Sequence, residues 1–365
     1  MLAAAPPITH NPLKNWQVNR ADIQYLGHDL QRPECVLAER DGTVWTADAR
    51  GGLVRIAPDG TQALVTPLAE NPTQQGRDSF AARYVQSVGS LPNGVCFAEN
   101  GDFIIANWGT DAIETMTRDG HLRTICKDID GQPLGKANFP LRDSKGRIYF
   151  TVTTREQPWT GQLNTKTADG YIGLLDENGV RIVVEGFCGT NEIRFDPREE
   201  WLYVVESTGW KISRLRVQPN GSLTDREVYG PASLGGFPDG FAFDVFGNLW
   251  ITLIFTDELI ALTEILTLLD DSNPETKKRL FDHFHAGTLT PEIMGATHGT
   301  VAVEPHLRRP RFADGVPGQL ARHLGTVFPQ PSGRPTHDSL VSFLLLVLGC
   351  SVGFCQPLIK NAKSE

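Results

Sequence analysis

The sequence predicts an all-β fold built from propeller blades, on three observations. Five successive segments share one plan: a short alternating strand, a polar turn, a second strand and a further turn. They recur roughly every 45 to 60 residues, which is the spacing of four-stranded propeller blades. The 36 glycines and 24 prolines are scattered between short β-branched and aromatic runs, which favours many turns over long helices.

The five segments follow one another along the chain. They occupy residues 37–60, 97–120, 141–179, 193–221 and 241–265. Each begins with an alternation that ends at a first turn, such as AERDG in the first segment and FAENG in the second. An alternation with a period of two turns one side of each strand toward the core. Each segment therefore predicts one blade.

An oxygen-bearing side chain lies eight residues before the first-turn position of every segment. The turn positions Gly42, Gly101, Gly146, Glu199 and Gly247 lead back to Glu34, Asn93, Asn138, Asn191 and Asp239. Because the first strand of a blade lies against the central channel, one repeated position near its start should face a common axis. Such oxygen donors predict a site for Ca²⁺ first, then Mg²⁺ or Mn²⁺, with Zn²⁺ left open. The competing interpretation is that these side chains cap strand ends by bonding backbone groups.

Around these residues the chain resembles the regucalcin and gluconolactonase family of six-bladed propellers, also called senescence-marker-like. The resemblance covers about residues 16–300 and rests on RPECV, LPNGVCF, KANFPLRDSKGRIYFT, GTNEIRFDP and FPDGFAFDVFGNLW. It implies a six-bladed β-propeller with one divalent cation held by Glu34, Asn191 and Asp239. Asn138 completes the metal shell or contacts substrate, and Asp239 is also the implied catalytic acid or base.

Two residues beside Asn138 bear on the substrate. Many family members carry Asp after this Asn, whereas this chain has Phe139, which predicts a more apolar pocket. Lys136 stands where some relatives carry an arginine that binds a substrate carboxylate, and a solvated lysine is the alternative. Asn138, Lys136 and Asn93 are thus the predicted substrate contacts.

The resemblance implies a divalent-cation-dependent hydrolase of lactones. The metal would polarise the carbonyl, and Asp239 would transfer the proton. A small-molecule lactone is then the expected partner. Two other functions remain open, namely a non-catalytic Ca²⁺-binding propeller and a propeller scaffold for protein partners.

Charge and motif content argue against other classes. The net charge of -9 and the isoelectric point of about 5.5 give no electrostatic footprint for nucleic acid. No dinucleotide-binding glycine motif or Walker loop is present. The six cysteines form no C-x-x-C pair, and the N-terminus has no basic segment, so we expect a cytoplasmic protein without a disulfide framework.

One helix is predicted after the fifth segment. Ser272-Asn273-Pro274-Glu275 is typical of a helix start, because Asn caps a helix and proline fits its first turn. His283 and His285 then fall at the end of this helix, where interaction with free carbonyls is favoured over metal binding.

The repeat stops near residue 303, where a sixth blade is needed to close the ring. The predicted organisation is an N-terminal extension over 1–15, the propeller over 16–303 and a tail over 304–365. A shifted reading frame from residue 304 can encode a segment like the family's closing blade, so we predict that the sixth blade is missing or scrambled by a frameshift. The uncharged run 340–359 has the length of a bilayer span, but two glycines and a proline interrupt it, which disfavours a membrane anchor.

Overall fold

The structure, a computed structural model, describes residues 17, 26–67, 89–244, 247–262, 265–270, 272–295 and 352–353. Most of these residues form antiparallel sheets whose strand order follows the chain. The all-β prediction is confirmed, and five blades of four strands each lie within the described part. Each predicted segment corresponds to one of these blades.

The blades are numbered in chain order, and the first strand of each is its innermost. Blade one contains β1 (Val36–Ala38), β2 (Val44–Asp48), β3 (Gly52–Ile56) and β4 (Gln62–Val65). Blade two contains β5 (Pro92–Phe97), β6 (Phe103–Asn107), β7 (Ala112–Met116) and β8 (Leu122–Cys126), and a short hairpin, β9 (Asp128–Ile129) and β10 (Gln132–Pro133), follows it. Blade three contains β11 (Ala137–Arg142), β12 (Ile148–Val152), β13 (Gly170–Asp176) and β14 (Gly179–Phe187). Blade four contains β15 (Thr190–Phe195), β16 (Trp201–Glu206), β17 (Lys211–Val217) and β18 (Leu223–Tyr229). Blade five contains β19 (Phe237–Phe243), β20 (Leu249–Ile254), β21 (Glu258–Leu262) and β22 (Ile265–Asp270).

The innermost strands pack against one another from blade to blade. β1 contacts β5, β5 contacts β11, β11 contacts β15, and β15 contacts β19. Buried apolar side chains from blades one to four, including Leu37, Val95, Phe139 and Ile193, form one continuous core along these strands. The beginnings of these strands therefore lie at one end of the propeller. The predicted site residues lie at the same end.

The first turn of every blade has a left-handed backbone residue. The φ angle is 89° at Gly42, 87° at Gly101, 83° at Gly146 and 84° at Gly247. Glu199 takes the same place in blade four with a φ of 54°. Glycine adopts this region without a steric penalty, so the turn glycine fixes the length of the first hairpin. A count of eight residues back from each of these turns therefore leads to a similar position near the start of the innermost strand.

The predicted helix begins where the sequence places it. Helix α1 spans Pro274–Ala286, and Asn273 is its cap, with Oδ1 accepting from the backbone N–H groups of Glu275 and Thr276 at 3.1 and 3.0 Å. Gly287 ends the helix in the left-handed conformation. A short helix, α2 (Pro291–Gly295), follows. His283 lies in the last turn of α1, where its ring nitrogen bonds Thr288 Oγ1 at 2.9 Å.

The predicted extension over 1–15 and nearly all of the tail over 304–365 lie outside the described residues. From the tail the structure describes β23 (Val352–Gly353), which pairs in parallel with β1. The predicted frameshift and the predicted loss of the sixth blade therefore stay predictions, and so does the expectation that the run 340–359 is not a membrane anchor. Among the described residues, no helix has the length and apolar character needed to cross a membrane.

Candidate metal and substrate site

A β-bulge interrupts the innermost strand at the repeated oxygen-bearing position in blades two to five. The pairing register shifts between Pro92 and Val95, between Ala137 and Pro140, between Thr190 and Ile193, and between Pro238 and Phe241. The first residue inside each bulge is Asn93, Asn138, Asn191 or Asp239. A bulge leaves one residue without a strand partner and redirects its side chain, which is why bulges recur beside functional sites.

Threonines on the neighbouring strand hold two of these bulges. Thr252 Oγ1 accepts from the backbone N–H of Gly240 at 3.2 Å and donates to Gly240 O at 3.1 Å. Thr151 Oγ1 makes the same pair of contacts with the backbone of Phe139, at 3.0 and 3.4 Å. The equivalent positions in blades two and four are Ala106 and Val205, which have no hydroxyl. The hydroxyl therefore restrains the bulges of blades three and five.

Replacing Thr252 with Val should lower the free energy of unfolding by about 1–3 kcal/mol, because the buried Gly240 N–H loses its acceptor. Urea unfolding of both proteins measures the difference. Thr115→Val removes a hydroxyl from a partly exposed strand position, where Oγ1 makes a 3.4 Å contact with Arg123 O, and should change stability by less than about 0.5 kcal/mol. Equal losses in the two variants would show that the bulge does not depend on Thr252.

Glu34 and Asn93 meet at one arginine that the sequence analysis missed. Arg32 Nη2 lies 2.5 Å from Glu34 Oε1 and donates to Asn93 Oδ1 at 2.6 Å. Asn93 also donates from Nδ2 to the backbone oxygen of Asn138 at 3.1 Å, so the capping interpretation applies to this side chain. These contacts join the predicted residues of blades one, two and three.

Asn191 and Asp239 form a second group. The Nδ2 atom of Asn191 donates to Asp239 Oδ1 and to Ser207 Oγ, the latter at 3.1 Å. Ser207 in turn donates to the backbone oxygen of Pro238 at 2.7 Å. Asp239 is only 8% exposed. The Asn191 amide of blade four, which Ser207 also bonds, therefore restricts the orientation of this carboxylate.

Buried groups next to the predicted ligands interact across the channel. Burial raises the pKa of Glu192 to about 8; the Arg194 guanidinium opposes this shift, and the charge of Asp239 adds to it. Burial also raises the pKa of the Cys35 thiol, and the charge of Glu192 adds to that shift. Cys35 follows Glu34 and Glu192 follows Asn191. The innermost strands of blades one, four and five therefore lie within electrostatic reach of one another.

Lys136 is buried rather than solvated. Its Nζ atom lies 2.6 Å from Asp111 Oδ1, donates to Trp108 O at 3.4 Å, and is 5.9 Å from the centre of the Trp108 ring. Burial raises the pKa of Asp111, while the ammonium of Lys136 opposes the rise. The charge of Lys136 is therefore largely compensated within the protein.

The sequence of this chain matches the model of a known protein family. The family model of the SMP-30/gluconolactonase/LRE-like region matches residues 77–270, which is more than half of the chain. The chain belongs to this family. No curated protein sequence matches it.

Several solved structures share the propeller fold of this chain. A proposed gluconolactonase is 17% identical, with a TM-score of 0.51 over 69% of this chain and 81% of the other. A gluconolactonase from Xanthomonas campestris is 19% identical, with a TM-score of 0.50 over 67% of this chain and 77% of the other. A luciferin-regenerating enzyme is 14% identical, with a TM-score of 0.51 over 69% and 78%. At these identities the likeness shows the propeller fold alone.

The ligand set that the SMP-30/gluconolactonase/LRE-like resemblance implies fits a divalent cation in its donor chemistry. Asn138 Oδ1 is buried and has no hydrogen-bond partner among the described residues, so an acceptor oxygen is left for a cation. Glu34 and Asp239 supply carboxylates, and hard cations prefer such oxygens. The described part of the chain contains no group of three or more His, Cys, Asp or Glu side chains suited to a metal ion. The predicted set therefore depends on two carboxylates together with the amides of Asn138 and Asn191.

Two charged residues beside this set were missed at the sequence level. Glu192 fills the second bulge position in blade four, where blades two and five have Gly94 and Gly240. It is 1% exposed and paired with Arg194. The signal was available, because a Glu replaces the small residue of the repeat and an Arg stands two residues later on the same side of the strand. Arg32 was harder to predict as a site residue, because the sequence shows only that it lies two residues before Glu34.

Phe139 lies in the core of this SMP-30/gluconolactonase/LRE-like chain. Its side chain is 3% exposed, and the Arg194 guanidinium lies 5.6 Å from its ring centre. A Cβ atom added to Gly94 would come within 2.5 Å of the Phe139 ring. The aromatic ring therefore fills space between blades two, three and four, so the departure from Asp alters packing beneath the predicted ligands.

An apolar cap lies at the same end of the propeller as the predicted ligands. It comprises residues from the loop between the second and third strands of each blade, together with one face of α1: Ala49, Trp108, Trp159, Trp210, Phe255, Leu280 and Phe284. The rings of Trp210 and Phe284 are stacked at 5.2 Å, and those of Trp108 and Trp159 meet edge to face at 5.3 Å. In an antiparallel blade the second strand ends beside the start of the first, so these loops adjoin the bulges.

Proposed function

We propose that this chain is a divalent-cation-dependent hydrolase of lactones or related cyclic esters. The supporting observation is the bulge at the same place in four innermost strands, which presents Asn93, Asn138, Asn191 and Asp239 at one end of the propeller. Membership in the SMP-30/gluconolactonase/LRE-like family makes a lactone the first substrate class to test. The apolar cap beside the bulges favours a substrate with an apolar portion.

The proposal assigns each predicted residue a role. Glu34, Asn191 and Asp239 would hold the cation, and Asn138 would add its buried Oδ1. Ca²⁺ is the first metal to test, because it prefers oxygen ligands of this kind. A bound divalent cation would polarise the lactone carbonyl. Asn138, Asn93 and Lys136 would contact the substrate, although the pairing of Lys136 with Asp111 weakens its attraction for a carboxylate.

Asp239 carries the proton in this proposal. Its carboxylate takes a proton from water while the water oxygen bonds to the carbonyl carbon. The ring C–O bond then breaks, and the proton passes to the leaving oxygen, which gives a hydroxy acid. The Asn191 amide, itself held by Ser207, bonds Asp239 and restricts rotation of the carboxylate toward the water.

Hydrolysis of a lactone panel by the full chain, followed by pH-stat titration, tests the proposal. We expect hydrolysis that EDTA abolishes and that added Ca²⁺, Mg²⁺, Mn²⁺ or Zn²⁺ restores. Hydrolysis that EDTA does not affect would overturn the metal role. Calorimetric Ca²⁺ binding without hydrolysis of any lactone would instead favour a non-catalytic Ca²⁺-binding propeller. Neither binding nor hydrolysis would favour a protein scaffold.

A further inference from the structure

We propose that Arg32 is an internal cation that occupies Glu34 in the absence of a divalent ion and thereby lowers the metal affinity of the site. This inference rests on the metal site of the proposed function. Arg32 lies outside the predicted ligand set. The charge at position 32 then sets how tightly the site binds a metal ion.

The Arg32 guanidinium lies between two of the repeated oxygen-bearing side chains. Arg32 is 7% exposed, and its Nη2 atom bridges Glu34 Oε1 at 2.5 Å and Asn93 Oδ1 at 2.6 Å. Glu34 is a predicted metal ligand and Asn93 a predicted substrate contact, so the positive charge lies against an oxygen that a metal ion would use. A guanidinium held between a carboxylate and an amide oxygen makes the stronger, charge-assisted kind of hydrogen bond.

The local backbone favours this placement. Arg32 has a φ of 52°, in the left-handed region that residues with a Cβ atom rarely adopt. Two residues later the chain reaches Glu34, just before β1 begins at Val36. The left-handed backbone at Arg32 allows the side chains of Arg32 and Glu34 to lie next to each other and form an ion pair.

Two positive charges cannot share Glu34 without mutual repulsion. A divalent ion bonded to the Glu34 carboxylate would lie within a few ångströms of the guanidinium, where unit charges still interact appreciably even with a high effective dielectric constant. The ion must therefore displace Arg32 from Glu34 or bind against its charge. Either event lowers the measured affinity relative to a site with a neutral residue 32.

Lys136 does not have this effect, because Asp111 compensates its charge. The Lys136 ammonium lies 2.6 Å from a carboxylate that is outside the predicted ligand set. Arg32, in contrast, has its ion pair with a predicted ligand. The two buried cations near the site thus have different consequences for metal binding.

Isothermal titration of Ca²⁺ and Mn²⁺ into the full chain and into Arg32→Met tests the proposal. Removal of the charge should tighten binding about tenfold or more, whereas Arg32→Lys, which keeps the charge, should change it less than about threefold. Arg147→Met is the matched control. It removes an arginine whose Nε lies 2.6 Å from the buried Asp143 in a first-hairpin turn at the opposite end of blade three, and it should leave affinity unchanged.

Thermal unfolding gives a second measurement. Without metal, Arg32→Met leaves Glu34 and Asn93 without the guanidinium, so its melting temperature should fall and then rise more on addition of Ca²⁺ than that of the wild type. If Arg32→Met does not fold, Arg32→Gln keeps a donor toward Asn93 without the charge and tests the same point.

Equal or weaker binding by the neutral variants would overturn the role of Arg32. If the wild type binds the cation and hydrolyses lactones while Arg32→Met binds it equally well, this inference fails and the proposed function stands. If none of the proteins binds a divalent cation, the metal site itself is wrong and both fail.

Discussion

Asp239→Asn should reduce lactone hydrolysis by about 10²–10⁴-fold, which is the usual contribution of a general base. Asn has nearly the same shape as Asp, and its amide oxygen can still accept the hydrogen bond from Asn191, so the fold should be preserved. It has no carboxylate, however, and so does not accept a proton from water. Initial rates over a range of substrate concentrations, measured by pH-stat, should show the loss in kcat.

The metal role and the proton role of Asp239 need separate measurements. Rates should be compared at metal concentrations that saturate each protein, as established by calorimetry. Restoration of full activity at saturating metal would show that Asp239 acts as a ligand alone. Asp196→Asn provides the matched control, because Asp196 accepts backbone hydrogen bonds from Glu200 and Trp201 in a first turn at the opposite end of blade four. Its activity should equal that of the wild type.

Leu280→Ala should lower the free energy of unfolding by about 2–5 kcal/mol, the range for large-to-small changes in a packed core. Leu280 is 0% exposed and belongs to the apolar cap, where α1 packs against the loops of the blades. Alanine favours the helix, so the loss reports packing rather than helix propensity. Urea unfolding followed by tryptophan fluorescence is suited to the measurement, since Trp210 and Trp159 lie in the same cap.

The same substitution at an exposed leucine calibrates this loss. Leu122 in β8 is 36% exposed, so Leu122→Ala should change the free energy of unfolding by about 0.5 kcal/mol or less. Similar losses in both variants would show that α1 is not packed on the blades. A large loss in Leu280→Ala with an unchanged lactonase rate would further show that the cap contributes stability without shaping the site.

The bulges show that the count from the turns reached equivalent strand positions in blades two to five. Gly42, Gly101, Gly146, Glu199 and Gly247 all adopt left-handed backbone, so each first hairpin has the same length. A fixed hairpin length places the same strand position at the channel in every blade. The sequence could therefore predict that Asn93, Asn138, Asn191 and Asp239 occupy equivalent positions. It could not predict the bulges themselves, because an extra residue in one strand is visible only against its partner strand.

Charge pairing was the part of the site that sequence reasoning did not reach. Lys136 meets Asp111, and Arg32 meets Glu34 and Asn93. Lys136 and Asp111 belong to neighbouring blades. Arg32 and Asn93 are 61 positions apart in the sequence. The contacts of Lys136 with Asp111 and of Arg32 with Asn93 have no local pattern, since they depend on which blades are neighbours and on how deeply each side chain is buried.

The amino-acid sequence by itself determined the blade repeat, the helix start at Asn273 and the equivalence of the oxygen-bearing positions in blades two to five. These features depend on strand alternation, on turn glycines and on a helix cap, all of which act over a few neighbouring residues. Only the tertiary structure decided which of those oxygens are already bonded, that Phe139 packs inward, and that a guanidinium lies against Glu34. Such contacts arise when strands that are distant in sequence pack around one axis. A buried charge without a partner is unfavourable there, so the fold brings opposite charges together.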